Sequence, residues 1–344
     1  MPRQVRIQFP GAVYHVMARG DRRELIFHDD EDRRMFLGVL EEACGRTGWL
    51  CHAYVLMPNH YHLVIETPEP NLVAGMAWMQ NTFTRRHNAR HKLWGHLFGG
   101  RYKAVLVDAD DALYLPTLID YVHLNPVRAG LVRMEEGLET FAWSSLAACY
   151  VLPPSKRKPW LQAERGLRTR GFQDQATGRR HYLEHLERRA KLEGKEAGRG
   201  MPGEQSLQST LQRGWFFGSQ AFKEKLLQLA EQALKASTKR SNQRPGDEVK
   251  EHSEQRAKAL IAAGMTVCKL TPALLEALPF GDERKVLVAL AVKRETTVPL
   301  TWIAEQLRMG TRSTVSRETT TLMKTLSKDR KKTKLYAAIL SKAV

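Results

Sequence analysis

The first third of the chain places apolar and polar residues in a pattern that predicts a small mixed fold. Residues 12–18 read as a strand, and a polar loop, Arg19-Gly20-Asp21-Arg22-Arg23, follows. Over 29–47, Phe36, Leu37, Leu40 and Ala43 recur at helical spacing and define one apolar face. Two strands are predicted at 49–57 and 60–66, then a helix over 71–90, a strand near 101–108 and a helix over 110–125. That order suits an α+β fold, an antiparallel sheet with helices on one side.

Regular patterning breaks at 151–159, where Pro153, Pro154 and Pro159 stand among Lys156, Arg157 and Lys158. Residues 179–204 are charge-rich, with glycines at 194, 198, 200 and 203, and predict a mobile helix or linker. A helix over 219–237 follows Gly214-Trp215-Phe216-Phe217-Gly218, and 238–256 is polar enough for a second linker. The expected organisation is a first domain over 1–150, a basic linker and helical region over 151–256, and an all-α domain over 257–344. Within the last, helices at 283–294 and 300–307 precede Met309-Gly310-Thr311 and a polar helix bearing Arg312, Ser313, Thr314, Ser316 and Arg317. This reads as a helix-turn-helix-like module whose second helix would enter a major groove through Arg312 and Arg317. Its turn is long, since Gly310 lies six residues after Ala304 where the compact motif has four. A plain packing or dimerisation domain is the alternative.

Charge changes the picture more than size does. The 344 residues carry a formal charge of +17, which attracts polyanions and speeds their association. Charge alone does not separate DNA from RNA. No run reaches the ~18 uninterrupted apolar residues of a membrane span. Cys44, Cys51, Cys149 and Cys268 show no Cys-x-x-Cys spacing, which argues against zinc fingers and for reduced thiols in a cytoplasmic protein.

Candidate chemistry centres on Met57-Pro58-Asn59-His60-Tyr61-His62-Leu63-Val64. Residues two apart on a strand share a face, so His60 and His62 aim their imidazoles at one point, half of a metal site. With 12 histidines, about 0.4 His-x-His pairs arise by chance, so the pair gains weight only from its setting. Tyr61 points to the other face, which favours packing. Tyr121, on the predicted helix, is a candidate nucleophile, with Tyr114, Tyr102 and Tyr61 as competitors. Asn125 lies one turn after Tyr121 and is a candidate third ligand. The pairs His87–His91 and His181–His185 also have helical i, i+4 spacing, but neither carries the glutamate of the protease pattern. Arg85, Arg86 and Arg90 surround the first pair and predict a solvated or phosphate-contacting face.

Four strings occur together: Gly11-Ala12-Val13-Tyr14-His15-Val16 with Arg19-Gly20, Met57 to Val64, Gly100-Arg101-Tyr102-Lys103, and Tyr121 to Gly130. In order and spacing the chain resembles the HUH single-tyrosine transposases, most of all the REP-associated tyrosine transposases, over roughly 1–150. The resemblance implies a ferredoxin-like catalytic fold, Mg²⁺ or Mn²⁺, and single-stranded DNA at hairpin-forming repeats as substrate. It implies that Tyr121 forms a 5′-phosphotyrosyl bond and frees a 3′-OH, with His60 and His62 holding the cation. Arg22, Arg23, Arg85, Arg86, Arg101, Lys103 and Arg128 are candidate backbone contacts, because arginine forks match phosphate oxygens. Trp94, Phe98 and Tyr102 are candidate stacking platforms. Two other functions compete. In a non-catalytic DNA-binding regulator the helix-turn-helix would do the work, which leaves the histidines and Tyr121 without purpose. An RNA-processing metalloenzyme fits the charge but gives the tyrosine no role.

Overall fold

The computed structural model describes residues 6–195, 211, 214–239, 247–296 and 298–343. Two compact units emerge. One comprises Met1–Cys44, Gly48–Leu72 and Met79–Lys239, the other Gly45–Thr47, Val73–Trp78 and Arg240–Val344.

In the first unit, strands β1 (Ala12–Arg19), β2 (Leu50–Met57), β3 (His60–Thr67) and β4 (Lys103–Val107) alternate with helices α1 (Asp30–Thr47) and α2 (Leu72–His91). The sheet order β2-β3-β1-β4, all antiparallel, is the ferredoxin-like arrangement. A fifth strand, β5 (Phe216–Phe217), adds to the β4 edge in parallel, so the sheet is mixed rather than wholly antiparallel. Its placement follows from a local lock. The Asp108 carboxylate accepts from the Ser219 amide at 3.2 Å and the Ser219 hydroxyl at 2.7 Å, at the start of α6 (Gln220–Lys239).

One sheet face is covered by α1 and α2 through an aromatic cluster. The Phe36 ring lies 4.8 Å from Tyr61 and 5.0 Å from Phe83, all fully buried. Val39 rather than Leu37 joins Phe36, Leu40 and Ala43 in that core. Asp29 caps α1 by accepting from the Asp32 amide at 3.0 Å, and Gly48 ends it in the left-handed region. The opposite face receives α3 (Tyr114–Arg128), which packs on β2 and β3. Next, α4 (Ala163–Thr169) and α5 (Ala176–Lys195) pack against α3. The charge-rich stretch is therefore helical as far as Lys195, while its glycines beyond 195 lie outside the described residues.

Among its described residues the second unit is helical: α7 (Asp247–Val267), α8 (Pro272–Ala277), α9 (Glu283–Glu295), α10 (Leu300–Gln306), α11 (Arg312–Thr325) and α12 (Arg330–Lys342). Residues 285–292 of α9 are buried on every side, as befits a central helix contacted by α7, α11 and α12. Even Lys285 is enclosed, its ammonium donating to the carbonyls of Leu278 at 2.9 Å and Arg308 at 3.1 Å. Between α10 and α11 the turn passes through Gly310 at φ +75°, where a Cβ would come within 3.0 Å of the Phe280 ring. Thr311 caps α11 by accepting from the Thr314 amide. Among the described residues no helix is long and apolar enough to cross a membrane. All four cysteines are buried and unpaired.

Candidate active site on the β-sheet

Register puts the site together. His60 lies opposite Arg19, and His62 opposite Met17 on β1 and Val55 on β2. Lys103 lies opposite Met17, and Val105 opposite His15, on the other side of β1. Because facing residues share a face, His15, Arg19, His60, His62 and Lys103 belong to one side of the sheet. Tyr61 belongs to the other, where it packs on Phe36 and Phe98 and its hydroxyl accepts from Gln80.

His60 and His62 do converge, with ring centroids 5.1 Å apart. His62 is buried and stacks on the fully buried His15, its Nδ1 lying 2.8 Å from His15 Nε2. His60 Nδ1 sits 2.7 Å from the Asn59 side-chain oxygen, so it carries the proton and leaves Nε2 with a lone pair. Burial keeps these rings neutral at ordinary pH. It lowers His60 to about 4 and His15 to about 3, and takes His62 well below its usual range.

Tyr121 reaches the same place from α3. Its ring meets His62 edge-on at 5.9 Å and His15 at 6.2 Å, and the Arg128 guanidinium lies 5.0 Å over it. Burial raises the tyrosine pKa, opposed by the Arg128 and Arg19 charges. The Asn125 amide nitrogen donates to the Tyr121 carbonyl at 2.8 Å, which leaves its side-chain oxygen as the group able to meet a cation. The imidazoles of His60 and His62, whose far nitrogens are already engaged, have the donor chemistry a divalent ion requires, as does the Asn125 side-chain oxygen.

The residue beside the tyrosine anchors the helix. Asp120 is fully buried and bonded to Arg170 at 2.6 Å, Arg189 at 2.8 Å, His185 at 3.0 Å and the Tyr182 hydroxyl at 3.1 Å. Burial alone would push its carboxyl up, but His185 and the two arginines outweigh that and hold it below the usual range. On the next turn, the buried His123 bridges Tyr182 and Ser145. Arg170, just past the end of α4, and Tyr182, His185 and Arg189 of α5 thus fix the rotation of α3 about its axis.

The other candidates divide sharply. Arg22, Arg23, Arg85, Arg101 and Arg128 are exposed, and Lys103 is half-buried on the histidine face. Arg86 is exposed but forks onto Glu42 at 2.7 and 3.1 Å. Arg312 and Arg317 are exposed on α11, with Arg317 paired to Glu318. Of the aromatic candidates, Trp94 is 91% exposed, whereas Phe98 and Tyr102 are buried. Tyr114 meets Phe217 edge-on at 4.9 Å rather than the histidines. His87 is fully buried, which corrects the solvated reading of that pair, because Phe83 and His91 enclose it. Sequence reasoning did not assign His15 or Arg19 to the site. Both stand in the first motif string, and only strand pairing shows that they share a face with His60 and His62.

Residues 8–125, which include His60, His62, Tyr121 and Asn125, match the family model for IS200-like transposases. Within the first unit, this segment is similar to the IS200-like transposases. Among solved structures, the chain is similar to a REP-associated tyrosine transposase bound to a REP hairpin. That match has 17% identity, covers 42% of this chain and 82% of the other, and has a TM-score of 0.35. No curated protein matches. The first unit continues beyond the matched segment into α4 and α5, which pack against α3.

Proposed function

We propose that the first unit cuts and rejoins single-stranded DNA through a phosphotyrosine at Tyr121. The observation that carries this reading is the meeting of Tyr121 with the His15–His62 stack beneath Arg128. The Tyr121 oxygen attacks a phosphorus and loses its proton, and the P–O3′ bond breaks. The products are a 5′-phosphotyrosyl enzyme and a free 3′-OH. Attack by another 3′-OH reverses the step and releases the tyrosine, so rejoining needs no nucleotide cofactor. Arg19 and Arg128, both exposed, favour the phenolate and face the phosphate. His60 and His62, with the Asn125 oxygen, would hold the divalent ion, Mg²⁺ or Mn²⁺. When bound, that ion offsets the charge that builds on the phosphate oxygens. Lys103, Arg101, Arg22, Arg23 and Arg85 would follow the backbone on either side.

The preference for hairpin-forming repeats rests on the family resemblance of the sequence motifs. The second unit would add duplex affinity through α11. The test is a single-stranded hairpin oligonucleotide labelled at its 3′ end and incubated with the full chain and Mn²⁺. An SDS-resistant labelled protein is expected, absent in EDTA and absent from His60→Ala and His62→Ala. An adduct that forms equally well in EDTA would remove the cation from the mechanism. No adduct on any single-stranded substrate would remove the covalent mechanism.

A further inference from the structure

The sheet face under α1 and α2 holds a second group of ligating side chains. Asp32 stands in the first turn of α1, and His87 and His91 stand on successive turns at the end of α2. One ligand atom from each lies within 4.8 Å of the others. Asp32 is buried, and His91 is mostly so. His91 Nε2 is 2.9 and 3.0 Å from the two Asp32 oxygens, and His87 Nε2 is 3.8 Å from Asp32 Oδ2. The last distance is too long for a hydrogen bond.

His87 decides the matter. It is completely buried, and neither of its ring nitrogens has a hydrogen-bond partner. An enclosed imidazole with both nitrogens unmet is costly unless something else occupies one of them. We propose that Asp32, His87 and His91 bind a zinc ion that ties the start of α1 to the end of α2.

The donors suit that ion. Two imidazoles and a carboxylate match a borderline-soft cation better than Mg²⁺, which prefers oxygen. Bonds of about 2.0 Å in a tetrahedron place ligand atoms about 3.3 Å apart, between the separations seen here. The Arg90 fork holds Asp29 Oδ2 at 2.6 Å and Asp32 Oδ1 at 2.7 Å, while Asp32 Oδ2 accepts from the His28 amide at 2.9 Å and keeps a lone pair for the ion. His91 Nε2 also lies 2.9 Å from Arg90. Binding would exchange the His91–Asp32 hydrogen bond for two bonds to zinc. The exposed His28, its ring 4.9 Å from His91 and 5.4 Å from His87, flanks the fourth position. The buried Phe36, Tyr61 and Phe83 separate this cluster from His60 and His62, so the two sites are independent.

The experiment uses the full chain after chelator treatment, titrated with zinc sulfate against a chromophoric competitor and followed by thermal unfolding. The unaltered protein and the His60→Ala/His62→Ala variant should each retain one equivalent at this site and gain thermal stability with it. His91→Ala and His87→Gln should each weaken that equivalent by about 10- to 100-fold or more. His91 is partly exposed, so His91→Ala should keep a native circular dichroism spectrum. Cobalt substitution of the unaltered chain gives a reading independent of any variant, and a tetrahedral absorption spectrum is expected. The proposal is overturned if the unaltered chain binds no zinc, or if the equivalent vanishes with His60 and His62. Indifference to His87 and His91, or an octahedral cobalt spectrum, also overturns it.

Discussion

The two faces of one sheet present their histidines in opposite electrical settings. On the α3 face, His15, His60 and His62 are surrounded by Arg19, Lys103 and Arg128, and the acidic Asp120 is already saturated by Arg170, Arg189 and His185. On the α1–α2 face, His87 and His91 share their space with two carboxylates, Asp32 and Asp29, and a single guanidinium, Arg90. A cation on the second face finds its counter-charge in the protein. A cation on the first face would find only neutral donors and other cations, and under the proposed function a phosphate would supply the missing negative charge. The first face would then be completed by its substrate, whereas the second offers a carboxylate of its own.

The largest effect should come from breaking the first face alone. Tyr121→Phe removes one hydroxyl from a ring held by His15, His62 and Arg128, and should abolish the DNA–protein adduct while hairpin affinity changes little. A Tyr121→Phe protein that still forms the adduct, with Tyr114→Phe inactive, would move the nucleophile to Tyr114.

Next in size is the support beneath that face. Asp120→Asn leaves Arg170, Arg189 and His185 crowded around a neutral group, and should cost about 3 kcal/mol in chemical denaturation. That figure is at the low end for a buried network because both arginines keep some contact with water. A loss below about 0.5 kcal/mol would mean that α4 and α5 do not fix the tyrosine helix.

A pH series tests the neutral rings. Burial depresses His15 and His123 to about 3 when folded, while the unfolded chain titrates near 6.5. Below that point the unfolded state binds protons that the folded state refuses, so stability is full above pH 6.5 and falls as pH drops toward 3. By pH 5 the loss should be roughly 2 kcal/mol per histidine. Stability that stays level between pH 7 and 5 would mean that these rings are charged inside the fold.

Coupling between ion and DNA sharpens the contrast further. If the first face borrows its negative charge from phosphate, hairpin DNA and Mn²⁺ should each raise the other's affinity, by about tenfold. Equal Mn²⁺ affinity with and without DNA would show that the face is self-sufficient after all.

Much of the first face could be read from sequence because its signals are local. His60 and His62 share a face by the strand period of two, and Tyr121 and Asn125 by one helical turn. The remainder depends on contacts that no local period encodes. His15 meets His62 across 47 residues, Asp120 meets Arg189 across 69, and Asp32 meets His91 across 59. The sequence pattern of Arg85, Arg86 and Arg90 pointed to a solvated pair at His87 and His91. Those arginines do lie outside, yet the intervening turn positions are inside, because a helix buries only one stripe. The parallel strand β5 was equally hidden, since two residues carry no alternation to detect.

The smallest predicted effect concerns the second unit, which bears on the comparison by asking whether all DNA affinity belongs to the α3 face. Val315, Thr319 and Leu322 turn α11 inward, and Arg312, Arg317, Thr320, Thr321 and Lys324 remain exposed. Arg312→Ala with Arg317→Ala should leave cleavage of a short hairpin unchanged, since the candidate catalytic residues lie within the first unit. Duplex affinity should fall, and the salt dependence of binding should drop by up to about two charges. Arg317 already pairs with Glu318, so its share should be the smaller one. If the double variant binds duplex DNA with an unchanged salt slope, α11 is a packing helix. The polyanion affinity of this strongly basic chain would then lie in other residues, with Arg19, Lys103 and Arg128 first among them.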